Sequence, residues 1–187
     1  REKYPDAKIY CLVGRNSAIL LQKCPYINGV IPFDLEKRKN IGYVLSIARA
    51  LRKYQFDQFI DFQNNRLSHW LALLSWPRES YGFDNGKWGG WLTDKIKNDV
   101  TAIGPVEHQF RILKMLGINY NKNAQLGLWP SDMDVEHVQN LLDSEWLGHG
   151  KNIVGINLAA SEKWGTKNWP VEHIARLCDL LAAENMR

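Results

Sequence analysis

Cysteine is scarce in this chain, with only Cys11, Cys24 and Cys178 among 187 residues. An odd, scattered set without a C-x-x-C pair argues against a disulfide framework or zinc ribbon and points to a reducing cytosol. No apolar run approaches the ~18 residues of a membrane-spanning helix. The opening residues, Arg1 to Asp6, lack the apolar core of a secretory signal. There is no N-x-S/T sequon, internal repeat or low-complexity tract. Neither G-x-x-x-x-G-K-[ST] nor G-x-G-x-x-G occurs, so the two commonest nucleotide loops are absent. His69, His137, His149 and His173 show no metal-ligand spacing, and no metal site is expected.

What is present is apolar surface: 45% hydrophobic residues, eight of them Trp, enough to bury a core and exclude a disordered chain. The length fits one domain, or one and part of another. The net charge of +4 is uneven: residues 1–100 carry 16 basic and 10 acidic side chains (+6), residues 101–187 carry 8 and 10 (−2). The basic part could meet an anionic partner or be a solvated surface. It contains no nucleic-acid-binding motif, so none is expected as a partner.

Apolar runs at 9–13, 29–33, 56–62 and 80–83 read as buried strands. Between them, helical spacing recurs at 17–23, at 41–53 through Ile41, Val44, Leu45, Ala48 and Leu51, and at 67–75 before Pro77. Strands and helices alternating through short connections predict right-handed crossovers and a parallel sheet, an α/β fold. Residues 84–104, rich in Gly, Lys and Trp, break the rhythm and read as a long loop. In it, Lys87, Lys95 and Lys97 with Trp88 and Trp91 suit either a lid toward an amphipathic ligand at a membrane face or a loop packed on the domain. The packed loop is the simpler reading.

A helix at 106–116 ends at Gly117, residues 119–130 form a polar hinge, and Ser131 caps a helix to about residue 147. A second series then opens with a strand at 153–158, a loop at 159–168 and a helix after Pro170. Residues 1–130 thus read as one Rossmann-like domain and 131–187 as a linker helix and the start of another.

The loop from Ala159 to Pro170 is the best candidate site. It follows a strand's C-terminal end and opens a helix, where free N–H groups and a partial positive charge favour anions. Ser161 and Thr166 add hydroxyls, Gly165 permits close backbone approach, and Lys167 supplies a point charge for phosphate. An ordinary strand-to-helix turn with solvated lysines is the competing interpretation. At the end of the 56–62 strand, Asp61, Gln63 and Arg66 should face the same edge. The alternatives there are a helix cap and a surface Arg. His108 and Gln109 begin a helix after Pro105, where a ligand could sit, although a lone His is more often structural. Trp169 reads as a core residue.

The passage Gly155-Ile-Asn-Leu-Ala-Ala-Ser161, with Gly165-Thr-Lys-Asn-Trp-Pro170 and Glu172, resembles the K-x-W-P signature of family 9 glycosyltransferases, the ADP-heptose:lipopolysaccharide heptosyltransferases and their relatives. Tyr4 to Ile9, then Leu51 to Asp57 with Asp61-Phe-Gln63 and Arg66, and His108-Gln109 with Arg111 and Leu116-Gly117 resemble further family passages in order. The resemblance implies the GT-B arrangement of two facing Rossmann-like domains, the first for the acceptor and the second for the nucleotide sugar. It implies donor-phosphate contacts from Lys167, with Thr166, Ser161 and Gly165 nearby, and acceptor contacts from Gln63, Arg66, His108 and Gln109.

The implied reaction is inverting and metal-independent, needs no cofactor beyond the ADP-sugar, and takes a lipid A–Kdo type acceptor. The implied location is the cytoplasm, with peripheral contact at the inner membrane. By the same resemblance, the carboxylate base lies before Arg1 and the rest of the donor domain lies beyond Arg187. About half an enzyme, inactive alone, is therefore expected. A non-catalytic α/β module for nucleotides or phosphorylated sugars is the alternative.

Overall fold

Apolar runs flanked by turn residues form most strands of the computed structural model, which describes residues 1–86, 89–99, 102–123, 125–144, 153–158 and 168–186. The chain forms two units, Arg1–Trp129 and Pro130–Arg187. In the first, β1 (Tyr10–Gly14) and β2 (Gly29–Phe33) pair in parallel, Tyr10 opposite Gly29. Pro32 has no N–H to donate, which suits a strand that, among the described residues, pairs on one side only. Between them lie α1 (Arg15–Ala18) and a 3₁₀ turn at Ile19–Leu21.

A second parallel sheet runs β3 (Gln58–Asp61), β4 (Glu79–Asp84), β5 (Asp94–Lys97), in that order. β5 corrects the reading of 84–104 as loop throughout: Lys95 and Lys97 lie on a strand. Only residues 85–93 connect β4 to β5, where a parallel crossover ordinarily takes a dozen or more. Two features make the short path feasible. Ser80 and Thr93 exchange hydrogen bonds, Ser80 N–H to Thr93 Oγ1 at 2.7 Å and Thr93 N–H to Ser80 Oγ at 3.0 Å. Gly82 leaves room for buried Leu92, whose Cδ1 would lie 2.8 Å from any Cβ there.

Helix α2 (Ile41–Arg52) starts at Asn40, whose side chain accepts the Tyr43 amide. It buries Val44, Ala48 and Leu51 against Phe33 of β2 and Leu71 of α3 (Arg66–Ser75). A second cluster joins Tyr81 and Phe83 of β4 to Ile112 and Leu116 at α4 (Pro105–Met115). Pro105 occupies the first turn of α4, and Gly117 takes the left-handed backbone (φ 69°) that closes it. α3 ends instead on Trp76 in the left-handed region (φ 59°).

In the second unit, the Ser131 hydroxyl accepts the Asp134 amide and the Asp134 carboxylate accepts the Ser131 amide. This reciprocal cap opens α5 (Asp132–Ser144). Pro170 precedes α6 (Val171–Ala183). Residues 153–158 corrected the expected strand: they are described without strand pairing, and Ile153 and Leu158 are exposed. An apolar run becomes a strand only with a hydrogen-bonded neighbour, and no other described residue of this unit offers one. Trp169 is also exposed, stacked on His173 rather than in a core.

Candidate functional site

Three strands each end on an aspartate, β2 in one sheet and β3 and β4 in the other, and each carboxylate folds back on its own loop. Asp34, just after β2, accepts the Glu36 amide at 3.1 Å. Asp61, ending β3, accepts the amides of Gln63 (2.9 Å) and Asn64 (3.1 Å). Asp84, ending β4, accepts the Gly86 amide at 3.0 Å. These are Asx turns, local substitutes for backbone pairing where a strand stops.

Each aspartate also meets a basic group: Asp34 meets Lys37 (3.5 Å) and Arg15 (3.8 Å), Asp61 meets His69 (3.3 Å), and Asp84 meets Lys95 (3.3 Å). The Gly86 amide, then Lys95, hold the Asp84 carboxyl below the usual carboxylate range. All three carboxylates are thus engaged in shaping loops. Asp61 in particular is buried rather than presented to a ligand.

The Asp61 turn leaves Gln63 and Arg66 exposed at the start of α3. Asn64 is left-handed (φ 51°), and its carbonyl accepts the Asn85 amide group at 3.0 Å. Asn65 and Ser68 then cap α3 reciprocally, each side chain accepting the other's backbone N–H. This rigid entry fixes where Arg66 leaves the helix.

His108 and Gln109 form a second cluster, in the first turns of α4. The His108 ring stacks on buried Phe83 (4.4 Å between centroids), with Nε2 3.1 Å from Asn98 Oδ1. Gln109 is half-buried. Arg111 donates to the Lys97 carbonyl and pairs with Asp99 at 3.5 Å. The Asn98 amide donates to the Asp84 carbonyl at 3.2 Å, so the two clusters are linked through the end of β4. Both therefore lie along the C-terminal edge of the parallel strands, where α/β folds hold ligands.

Ser161, Gly165, Thr166 and Lys167 lie outside the described residues, as do Lys87 and Trp88. Asp84, Asn85 and Asn98 were missed as edge residues. Asp84 and Asn85 had a signal, polar side chains directly after the apolar run 80–83, whereas Asn98 follows Asp94-Lys-Ile-Lys97 and had none. Among the described residues, no group of three or more His, Cys, Asp or Glu is arranged to hold a metal, and no helix is long and apolar enough to cross a membrane.

The model of glycosyltransferase family 9 (heptosyltransferase) matches residues 44–187. The chain belongs to glycosyltransferase family 9. Similar solved structures include a family 9 glycosyl transferase from Veillonella parvula, with a TM-score of 0.87, 18% identity, and 98% of this chain and 53% of that one covered. E. coli ADP-heptose lps heptosyltransferase II gives 0.73 and 22%, covering 100% and 55%. E. coli heptosyltransferase WaaC with ADP gives 0.65 and 21%, covering 100% and 57%. At these identities the likeness is one of fold: the family 9 chain shares their α/β class with parallel sheets and flanking helices. It spans little more than half the length of each. No curated protein matches it.

Proposed function

We propose that the protein is a glycosyltransferase that moves a heptose, or a related sugar, from an ADP-sugar to a lipopolysaccharide core acceptor of the lipid A–Kdo type. The observation that carries this reading is the family match across residues 44–187. In the reaction, an acceptor hydroxyl attacks the anomeric carbon, the bond from that carbon to the diphosphate oxygen breaks, and ADP departs. The sugar's configuration inverts, and the hydroxyl proton passes to a base to which no residue here is assigned.

Lys167, with Ser161, Gly165 and Thr166, would stabilise the charge that grows on the departing diphosphate. Neither a metal nor a further cofactor is invoked. Gln63 and Arg66, with His108 and Gln109, would line the acceptor side, since both clusters lie on the edge where ligands bind. The setting is cytoplasmic, at the membrane that carries the acceptor.

The test is turnover of ADP-heptose by the full-length protein with a lipid A–Kdo acceptor. ADP release coupled to acceptor glycosylation is expected, falling roughly 10²–10³-fold in Lys167→Ala. Saturable ADP binding without transfer would instead make the protein a nucleotide-binding module. Unchanged turnover in Lys167→Ala would remove that residue from the donor site.

A further inference from the structure

Helices α2 and α3 contain no Asp or Glu. Their shared outer face combines cations with large exposed apolar groups. A groove of about 380 Å³ lies between the N-terminal half of α2 and the length of α3, floored by Ile41, Leu45, Trp70 and Leu74 and rimmed by Arg38, Lys39 and Arg66. Ile41 is 75% exposed, and Leu45 and Trp70 about 40%. Trp91 meets Trp70 edge-on at 5.7 Å, widening the apolar floor. Farther along, Leu73 and Trp76 are exposed, and the Arg52 guanidinium lies 5.0 Å above the Trp76 ring.

A soluble surface seldom leaves this much apolar area together unless something covers it. The choice of occupant follows from charge. A second copy would bring cation against cation across a two-fold axis, which is repulsive. A free phosphate has no use for an apolar floor. Trp and aliphatic side chains ringed by Arg and Lys match the headgroup region of a bilayer, where the rings sit at the interface and cations meet lipid phosphate.

We propose that the α2–α3 face docks on an anionic lipid bilayer, with Ile41, Leu45 and Trp70 entering the headgroup region and Arg38 and Lys39 pairing with lipid phosphates. This deepens the proposed function, because an amphiphilic acceptor would be met at such a surface.

The test is sedimentation of the full chain with vesicles of phosphatidylcholine alone or mixed with phosphatidylglycerol, which contain neither donor sugar nor acceptor. Failure here and failure of sugar transfer are therefore read separately. The chain should partition into the anionic vesicles, less so as salt rises. At about 1 kcal/mol per cation near the surface, Arg38→Gln/Lys39→Gln should weaken partition roughly 30-fold. Ile41→Ser/Trp70→Ser should weaken it as well. Lys8→Gln/Lys23→Gln removes the same charge from the segment before β1 and from the turn before β2, and should leave partition within about threefold. Circular dichroism melts report whether each variant is folded. Equal loss in the Lys8/Lys23 control, equal uptake by neutral vesicles, or unchanged partition in both groove variants would overturn the proposal.

Discussion

The Asp61 carboxylate and the His69 imidazole meet at 3.3 Å, Oδ2 to Nε2, with only 3% and 1% of their surfaces exposed. The other oxygen of the same carboxylate takes two loop amides. Through those amides the side chain fastens the end of β3 to the turn carrying Gln63, while Oδ2 and Nε2 face each other beside the first half of α3 without a hydrogen bond between them. Removing a partner from such a buried arrangement is costly, because the groups left behind lose water and gain nothing. Asp61→Ala leaves two loop amides without their acceptor and should lower the unfolding free energy by about 3 kcal/mol. Asp61→Asn keeps an oxygen for the amides and should cost about half as much. Urea unfolding of both variants separates the two contributions, and equal losses would show that the amide contacts contribute little.

Arg66 leaves the first turn of α3 exposed, beside a cap that fixes its direction. If it pairs with an acceptor phosphate, Arg66→Gln should raise the acceptor KM about tenfold or more, the worth of a charge-assisted hydrogen bond. The donor KM should be untouched. A donor KM that rose in step would place Arg66 elsewhere in the reaction.

Gly82→Ala inserts a Cβ 2.8 Å from Leu92 Cδ1, and Asp61 closes the other side at 3.4 Å. Overpacking of this kind costs roughly 1–3 kcal/mol. Leu92→Val should recover part of that loss in the Gly82→Ala background while costing stability by itself. A double-mutant cycle with no coupling would mean that the crossover relaxes around the extra methyl.

The Tyr81 hydroxyl donates to Glu79 at 2.8 Å; this bond first, then burial, pushes its pKa up from 10.0 to about 12. Below pH 10 the phenol is protonated in both folded and unfolded chains, so its contribution to stability is complete. Between 10 and 12 the unfolded chain ionises first, and stability falls as pH climbs through that window. Tyrosinate absorbance should show one late-titrating residue, moved back toward the ordinary value by Glu79→Gln. A single common step for all seven tyrosines would contradict this.

Most of the first unit was legible because its strands are apolar runs between turn residues and its helices keep a 3.6-residue spacing. Gly29–Phe33 is the clearest case, forming a strand over the span read from sequence. β5 was not legible: Asp94-Lys-Ile-Lys97 has one apolar side chain and owes its strand state to the ladder offered by β4. Residues 153–158 show the reverse, apolar enough for a strand but without a described neighbour. At the edge, sequence located Gln63 and Arg66 but not the inward turn of Asp61. An aspartate that binds ligand and one that binds its own loop look alike until the amides two and three residues on are placed.

The two buried clusters of the first unit divide its mechanical integrity. Phe33, Val44, Ala48, Leu51 and Leu71 tie β2 to α2 and α3, whereas Tyr81, Phe83, Ile112 and Leu116 tie β4 to α4. Among the described residues, β1 and β2 share one hydrogen-bonded ladder, while β4 is clamped by ladders on both flanks. Transient opening therefore need not be all-or-none: the β1–β2 layer can loosen while β4 stays closed, and β4 becomes the slowest-exchanging backbone and the last anchor for both edge clusters.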